Sequence, residues 1–376
     1  MDPINHLIIG AGPAGLAVAG RLRQAGQDFT ILEQTGQVGS AWATHYDRLC
    51  LHTVKGLSHL PGMDFPSNYP TYVPRKELLD YFEQYARKFN IEPNFHQEVT
   101  NIQRQDDHWI VTTNKTIYHT KSVIVTTGLN RVPIVPHWEG EQAFGGTIIH
   151  SRDYKNPTPY QGKKVLVIGM GNTGAEIALD LAEHGVETYL SVRSPIAIVP
   201  RDVAGRPVQV TAQTLDKLPW GIGDWLGTQI RKLVIGNLGK YGVPLSRVHP
   251  AVQLRETGKT PVIDLGTVAM IKEGKIQVVP DIARFTPNGV VLQDGRPLTI
   301  GATILATGYR ANLEDFIPGI SKFLDANGYP QSAIGFGGFT GMYFVGFDNY
   351  KLGGILGTIY QDSEEVVTAL SHPRRG

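Results

Sequence analysis

A single cysteine, Cys50, stands in this chain of 376 residues. No intrachain disulfide can form, which excludes disulfide-stapled secreted scaffolds and points to a reducing compartment, the cytoplasm. It also excludes the disulfide reductases, which need a pair of redox-active cysteines. Charge of one sign is missing as well, since 35 Lys and Arg face 34 Asp and Glu. Near neutrality removes the electrostatic case for a nucleic-acid partner, so any ligand is recognised by local sites. No uninterrupted apolar run reaches the roughly 18 residues that mark a membrane-spanning helix. Residues 7–18 are apolar, but no basic region precedes them and glycines interrupt them, so they read as a strand and a helix rather than a signal-peptide core. The 12 histidines contain neither H-x-x-x-H nor H-E-x-x-H, and no metal site is expected.

Glycine, by contrast, is abundant at 43 residues, many of them in short G-x-G clusters where a backbone must turn sharply or approach a ligand. The length exceeds one ordinary core and predicts two domains. His6-Leu7-Ile8-Ile9-Gly10 reads as a buried strand, and Gly10-Ala11-Gly12-Pro13-Ala14-Gly15 leads from it into a helical pattern. In that setting Gly10 permits the tight turn, Gly12 lets the backbone reach a pyrophosphate, and Gly15 allows helix to pack on strand. A second strand over 29–32 ends in Glu33, followed by Gln34, where a dinucleotide site places an acid on the adenosine ribose. Short strands over 99–104, 109–113 and 116–119, beginning at Val99, precede residues 122–128, whose Thr126-Thr127-Gly128 turn returns the chain to the same nucleotide.

The device is repeated. Residues 164–169 form another buried strand, followed by Gly169-Met170-Gly171-Asn172-Thr173-Gly174 and a helix. The next strand ends in Ser191-Val192-Arg193-Ser194 instead of an acid. An arginine beside the ribose suits a 2′-phosphate, so NADPH is expected here; the alternative is a solvated surface arginine with nothing bound. Ala306-Thr307-Gly308-Tyr309 closes this second unit after a buried strand. The fold class is therefore α/β with two Rossmann-like domains, the second inserted into the first: residues 1–156 and 281–376 around 157–280. Leu352-Gly353 opens a closing helix whose N-terminus is aimed at the first nucleotide. Residues 215–245, with Trp220 and Trp225, form an amphipathic segment, either a lid or membrane-facing helix or a packed excursion.

Between the two fingerprints, Phe144-Gly145-Gly146-Thr147-Ile148-Ile149-His150-Ser151-Arg152-Asp153-Tyr154 fits F-x-G-x-x-x-H-x-x-x-Y. That pattern resembles the signature of the flavin-containing monooxygenases. Tyr46-Asp47-Arg48-Leu49, Gly171-Asn172, Val192-Arg193-Ser194 with Val199-Pro200-Arg201, Thr257-Gly258-Lys259-Thr260-Pro261-Val262 and residues 305–312 are similar to its YUCCA branch of indole-3-pyruvate monooxygenases. The resemblance spans nearly the whole chain. It implies FAD in the first site and NADPH in the second, hydride transfer to the flavin, and dioxygen addition at the flavin C4a to give a peroxide that oxygenates a small molecule. The substrate is then an aromatic 2-oxo acid, with amine, sulfur or ketone oxygenation as the alternative and a non-catalytic redox sensor as a remote one. Oligomeric state is left open, a homodimer included.

The same likeness places Gly39, Trp42, Leu49 and His52 along the flavin, and His150 and Tyr154 as supports near the nicotinamide. His52 falls where amine-oxygenating members carry Asn and the YUCCA branch carries His. Its imidazole either tunes the proton of the peroxide or is a stacked core histidine. Lys55 is either a contact for a substrate carboxylate or a surface lysine, and Trp42 covers the flavin or is ordinary core.

Overall fold

A computed structural model of the chain describes residues 4–215, 229, 234–351 and 353–372. Leu352 and most of the 215–245 segment lie outside the described residues, so neither expectation about them is addressed. The chain divides into two compact units. The first comprises Met1–Thr44, Thr53–Val132 and Tyr309–Gly376, and the second comprises His45–His52 and Pro133–Gly308.

In the first unit the strands Ile4–Ile9, Thr30–Leu32, Ile117–Val125 and Met342–Phe344 run parallel, as expected for strands that follow one another through helices. Strand Ile4–Ile9 sits between Thr30–Leu32 and Ile117–Val125, and its Leu7, Ile8 and Ile9 are buried. That explains an uninterrupted apolar run rather than an alternating one. The expected strands over 116–119 and 122–125 are one nine-residue strand, Ile117–Val125. Its first half pairs antiparallel with His108–Thr113, and its second half pairs with Met342–Phe344. One face of the sheet carries Leu7, Val123, Val125, Phe316, Phe323, Phe344 and Phe347. The helix Pro13–Gln24 packs against Arg75–Lys88 and Gly354–Ser371. Pro13 occupies its first turn, where a missing N–H costs nothing.

The second unit holds five parallel strands in the order Ile276–Val279, Glu187–Ser191, Lys164–Ile168, Ala302–Leu305 and Thr147–His150. Here the boundaries differ from those expected at 156/157 and 280/281. Thr147–His150 and Ala302–Leu305 are hydrogen-bonded into this sheet, so they cannot be shared with the other core. A small antiparallel sheet of Ile282–Thr286, Gly289–Leu292 and Pro297–Thr299 covers the same core through Phe285, Val290 and Leu292. Among the described residues no helix is long and apolar enough to cross a membrane.

Candidate active site

The two glycine-rich turns have matching geometry. Gly10 and Gly169 adopt φ of +106° and +100°, conformations that L side chains rarely reach. A Cβ on Gly15 would lie 1.9 Å from the Gly10 carbonyl oxygen, and one on Gly174 would lie 1.9 Å from that of Gly169. Helix and turn are in direct backbone contact there. On the middle glycines, Gly12 and Gly171, a Cβ would meet no protein atom within 4 Å. Each therefore faces open space at the start of a helix, Pro13–Gln24 or Asn172–Glu183, where backbone N–H groups have no helical acceptor. This is the shape a pyrophosphate fills. Gly128 and Gly308, in the turns after the central strands, are equally open, and the Thr127 hydroxyl is buried without a hydrogen-bond partner.

At the ribose corners the two units part company. Glu33 is 4% exposed. Its Oε2 accepts from the Ala11 N–H at 2.9 Å, and its Oε1 accepts from the Thr35 N–H at 2.9 Å and from the hydroxyls of Thr35 and Ser40 at 2.8 and 3.2 Å. The carboxylate ties the glycine turn to the following loop, and Oε2, with one bond, has acceptor capacity left. Gln34 beside it is exposed. At the corresponding corner Ser191 is buried and donates to the Pro280 carbonyl at 3.1 Å, while Arg193 and Ser194 are exposed. Arg193 makes no ion pair among the described residues. Arg201 pairs with Asp202 at 2.9 Å.

Asn172 uses its side chain locally, its Oδ1 accepting from the Ile263 N–H at 2.7 Å and its Nδ2 donating to the Pro261 carbonyl at 3.2 Å. That bond fastens residues 261–263 to the start of the second helix, which gives the 257–262 motif a structural purpose. Thr173 is half-buried in the first turn. Ala306 N–H bonds Ile168 O at 2.9 Å, Thr307 Oγ1 donates to Ile134 O at 2.5 Å, and Tyr309 begins the return to the first unit. Gly39 caps a short helix, Ser40–Ala43, that carries half-buried Trp42. Gly353 caps Gly354–Ser371, Val99 packs on the first core, and Ala14 and Leu49 are buried.

The stretch expected to run as one piece along the flavin is divided between the units. Gly39 and Trp42 belong to the first, His45–His52 to the second, and Lys55 to the first again. The cause is electrostatic. Glu176 and Asp180 lie one turn apart on Asn172–Glu183, 2% and 4% exposed. Glu176 Oε2 accepts from the Tyr46 hydroxyl at 2.8 Å and lies 3.1 Å from His52 Nε2. Asp180 accepts from Tyr154 Oη at 2.7 Å, and Arg48 reaches Asp180 at 3.4 Å and Glu183 at 2.7 Å. Leaving a buried acceptor of this kind without its donor costs about 1–3 kcal/mol. Burial, reinforced by the adjacent carboxylates, pushes the phenols of Tyr46 and Tyr154 well above their ordinary range. The sequence reading missed this network, although two acids four apart in an otherwise apolar helix were its signal.

His150 is buried with both nitrogens committed, Nε2 to the Gly308 carbonyl at 3.2 Å and Nδ1 to the Arg152 N–H at 3.2 Å. Burial lowers its pKa, which suits a neutral support. Lys55 Nζ donates to the carbonyls of Ser67, Tyr69 and Pro66 at 2.8, 2.5 and 3.5 Å. Its three donors clamp a loop. Among the described residues no cluster of three or more His, Cys, Asp and Glu could hold a metal ion.

Residues 7–217 match the family described as pyridine nucleotide-disulphide oxidoreductase. With one cysteine, the match concerns the nucleotide-binding scaffold and not a redox disulfide. The chain is 38% identical to a probable indole-3-pyruvate monooxygenase, YUCCA3, of Arabidopsis thaliana, over 93% of this chain and 83% of that protein. It is 36% identical to the indole-3-pyruvate monooxygenase YUCCA4 of Oryza sativa subsp. japonica, over 94% and 85%. The chain belongs to the YUCCA-like flavin-containing monooxygenases. Among solved structures, a flavin-containing monooxygenase from Stenotrophomonas maltophilia superposes on this monooxygenase with a TM-score of 0.75 at 23% identity, covering 99% of both chains. Cyclohexanone monooxygenase from Rhodococcus sp. Phi1, bound to NADP+, gives 0.75 at 20% identity over 98% of this chain and 85% of that one. These likenesses show a shared fold.

Proposed function

We propose that this flavin monooxygenase takes FAD in the cradle of Gly10, Gly12 and Gly15, takes NADPH in that of Gly169, Gly171 and Gly174, and oxygenates an aromatic 2-oxo acid of the indole-3-pyruvate type. The observation that carries the reading is the pair of open cradles with opposite ribose corners, a buried acid at one and an exposed arginine at the other. The bound cofactors supply the redox chemistry, hydride from the nicotinamide and oxygen activation at the flavin. The chain's own part is to bind, orient and manage protons. Glu33 sets the first turn and Arg193 selects the 2′-phosphate. His150 stiffens the turn at Gly308. His52, half-buried, is the group placed to hold or move a proton, whereas Lys55 serves as a loop clamp.

The overall change balances as 2-oxo acid plus dioxygen plus NADPH and a proton, giving a carboxylic acid one carbon shorter, carbon dioxide, water and NADP+. The small-molecule substrate and dioxygen are thus its reaction partners, and the single cysteine fits a cytoplasmic setting. Anaerobic NADPH should bleach the bound flavin, and oxygen with indole-3-pyruvate should restore it with acid formed in step with NADPH consumed. Faster turnover of a thioether or a cyclic ketone would move the substrate class. A flavin that NADPH leaves oxidised would overturn the reading altogether.

A further inference from the structure

Some histidines of this chain are bonded at both ring nitrogens. His6 is bonded at both ring nitrogens, to Ser122 Oγ and Gln27 Oε1, each at 2.8 Å, and His150 is bonded at both as described above. Such rings are fixed and chemically spent. His52 differs, with Nε2 on Glu176 and Nδ1 without a protein hydrogen-bond partner among the described residues. A carboxylate can only accept, so a bond across 3.1 Å to Glu176 Oε2 requires hydrogen on Nε2. The neutral ring then keeps its lone pair on Nδ1.

The acid is built into the fold for this task. Glu176 stands four residues beyond Asn172, on the helix whose first turn forms the second cradle. Its burial prevents water from competing for Oε2, and the Tyr46 hydroxyl holds that same oxygen at 2.8 Å, fixing the carboxylate's orientation. Arg48 Nε lies 3.9 Å from Oε1, and its Nη1 lies 3.4 and 2.7 Å from Asp180 and Glu183, so one guanidinium is shared among three carboxylates and steadies this end of the helix. Tyr46 and Arg48 anchor one end of His45–His52 and the histidine lies at the other, which sets the ring from both sides.

We propose that Glu176 is the positioning residue for His52, holding its imidazole as the Nε2–H tautomer so that Nδ1 is free to accept and return a proton during oxygenation. The reaction served rests on the proposed function, but the tautomer does not. Two-bond 1H–15N correlation spectra of the FAD-loaded full chain, with 15N-labelled histidine and His52 assigned by its loss in His52→Asn, read the tautomer directly. The expected result is Nε2–H in the wild type, retained in Glu176→Gln, which keeps an acceptor oxygen, and scrambled in Glu176→Leu, which removes it. Nδ1–H in the wild type, or an unchanged pattern in Glu176→Leu, overturns the assignment.

Should the Leu variant fail to fold, kinetics of Glu176→Ala, which also removes the acceptor, His52→Asn and the double variant decide. His52→Asn should lose about a hundredfold in kcat for product formation, a typical share for general acid–base catalysis, with KM for NADPH and anaerobic flavin reduction unchanged. The double variant should be no slower than His52→Asn, because Glu176 acts through the ring. Losses that multiply assign Glu176 a separate, structural role and sink the proposal. A wild type that NADPH cannot reduce refutes the proposed function and leaves the tautomer result standing.

Discussion

Two cradles in one chain use the same backbone solution and opposite side-chain solutions. In both, the third glycine touches the carbonyl of the first at what would be 1.9 Å from a Cβ, and the second faces open space. These are requirements of any pyrophosphate held on a helix start, so they repeat. On the proposed assignment of FAD and NADPH, the ribose corners differ with the nucleotide. Glu33 is buried beneath three donor groups of its own loop and one of the glycine turn, whereas Arg193 stands exposed beside Ser191. The shared part is steric and the distinguishing part is electrostatic, so each can be broken separately.

The largest expected effect lies in the shared part. Gly15→Ala should give a colourless protein with a lowered melting temperature, while Gly174→Ala should stay yellow and lose its reduction by NADPH. Full flavin retention in Gly15→Ala would end the equivalence of the turns. Next come Gly12→Val and Gly171→Val, whose added atoms start in open space. Their apoproteins should melt as the wild type does, yet each should bind its own dinucleotide at least about a hundredfold more weakly. Two or three lost charge-assisted hydrogen bonds, worth about 1.5–3 kcal/mol each, suffice. Titration calorimetry separates the two cradles.

Arg193→Ala sharpens the difference between the corners. KM for NADPH should rise roughly 10- to 150-fold, the equivalent of about 1.5–3 kcal/mol, with KM for NADH unmoved. Equal changes for both coenzymes would detach the arginine from the 2′-phosphate. The smallest effect is expected outside both cradles. Lys55→Met should lower stability by about 1–2 kcal/mol in denaturant unfolding, through loss of its carbonyl bonds, and leave KM for the 2-oxo acid unchanged. A tenfold rise in that KM at constant stability would return Lys55 to the substrate site.

What the sequence revealed followed from local rules. A buried strand, a glycine turn and a helix form a contiguous signal, and both strand-turn-helix units were legible for that reason. The boundary between units was not. Whether Thr147–His150 and Ala302–Leu305 join one sheet or another depends on pairing between residues over 150 positions apart. Nor does spacing disclose that Lys55 is enclosed by carbonyls at Pro66, Ser67 and Tyr69, or that Tyr46, Arg48 and His52 are gathered by the acids of a helix 120 residues further on. What those acids do depends on which face of the helix is buried, and spacing along the chain does not give that.

The strand Ile117–Val125 carries three neighbours, one of them Met342–Phe344. During synthesis the ribosome must therefore finish nearly the entire polypeptide before the sheet that began at Ile4 can close. The inserted unit, whose last strand ends at Leu305, has all its parts earlier. The sheet begun first is thus completed last, and a nascent chain cut short near residue 310 would hold every strand of the second unit's parallel sheet and a first sheet still lacking Met342–Phe344.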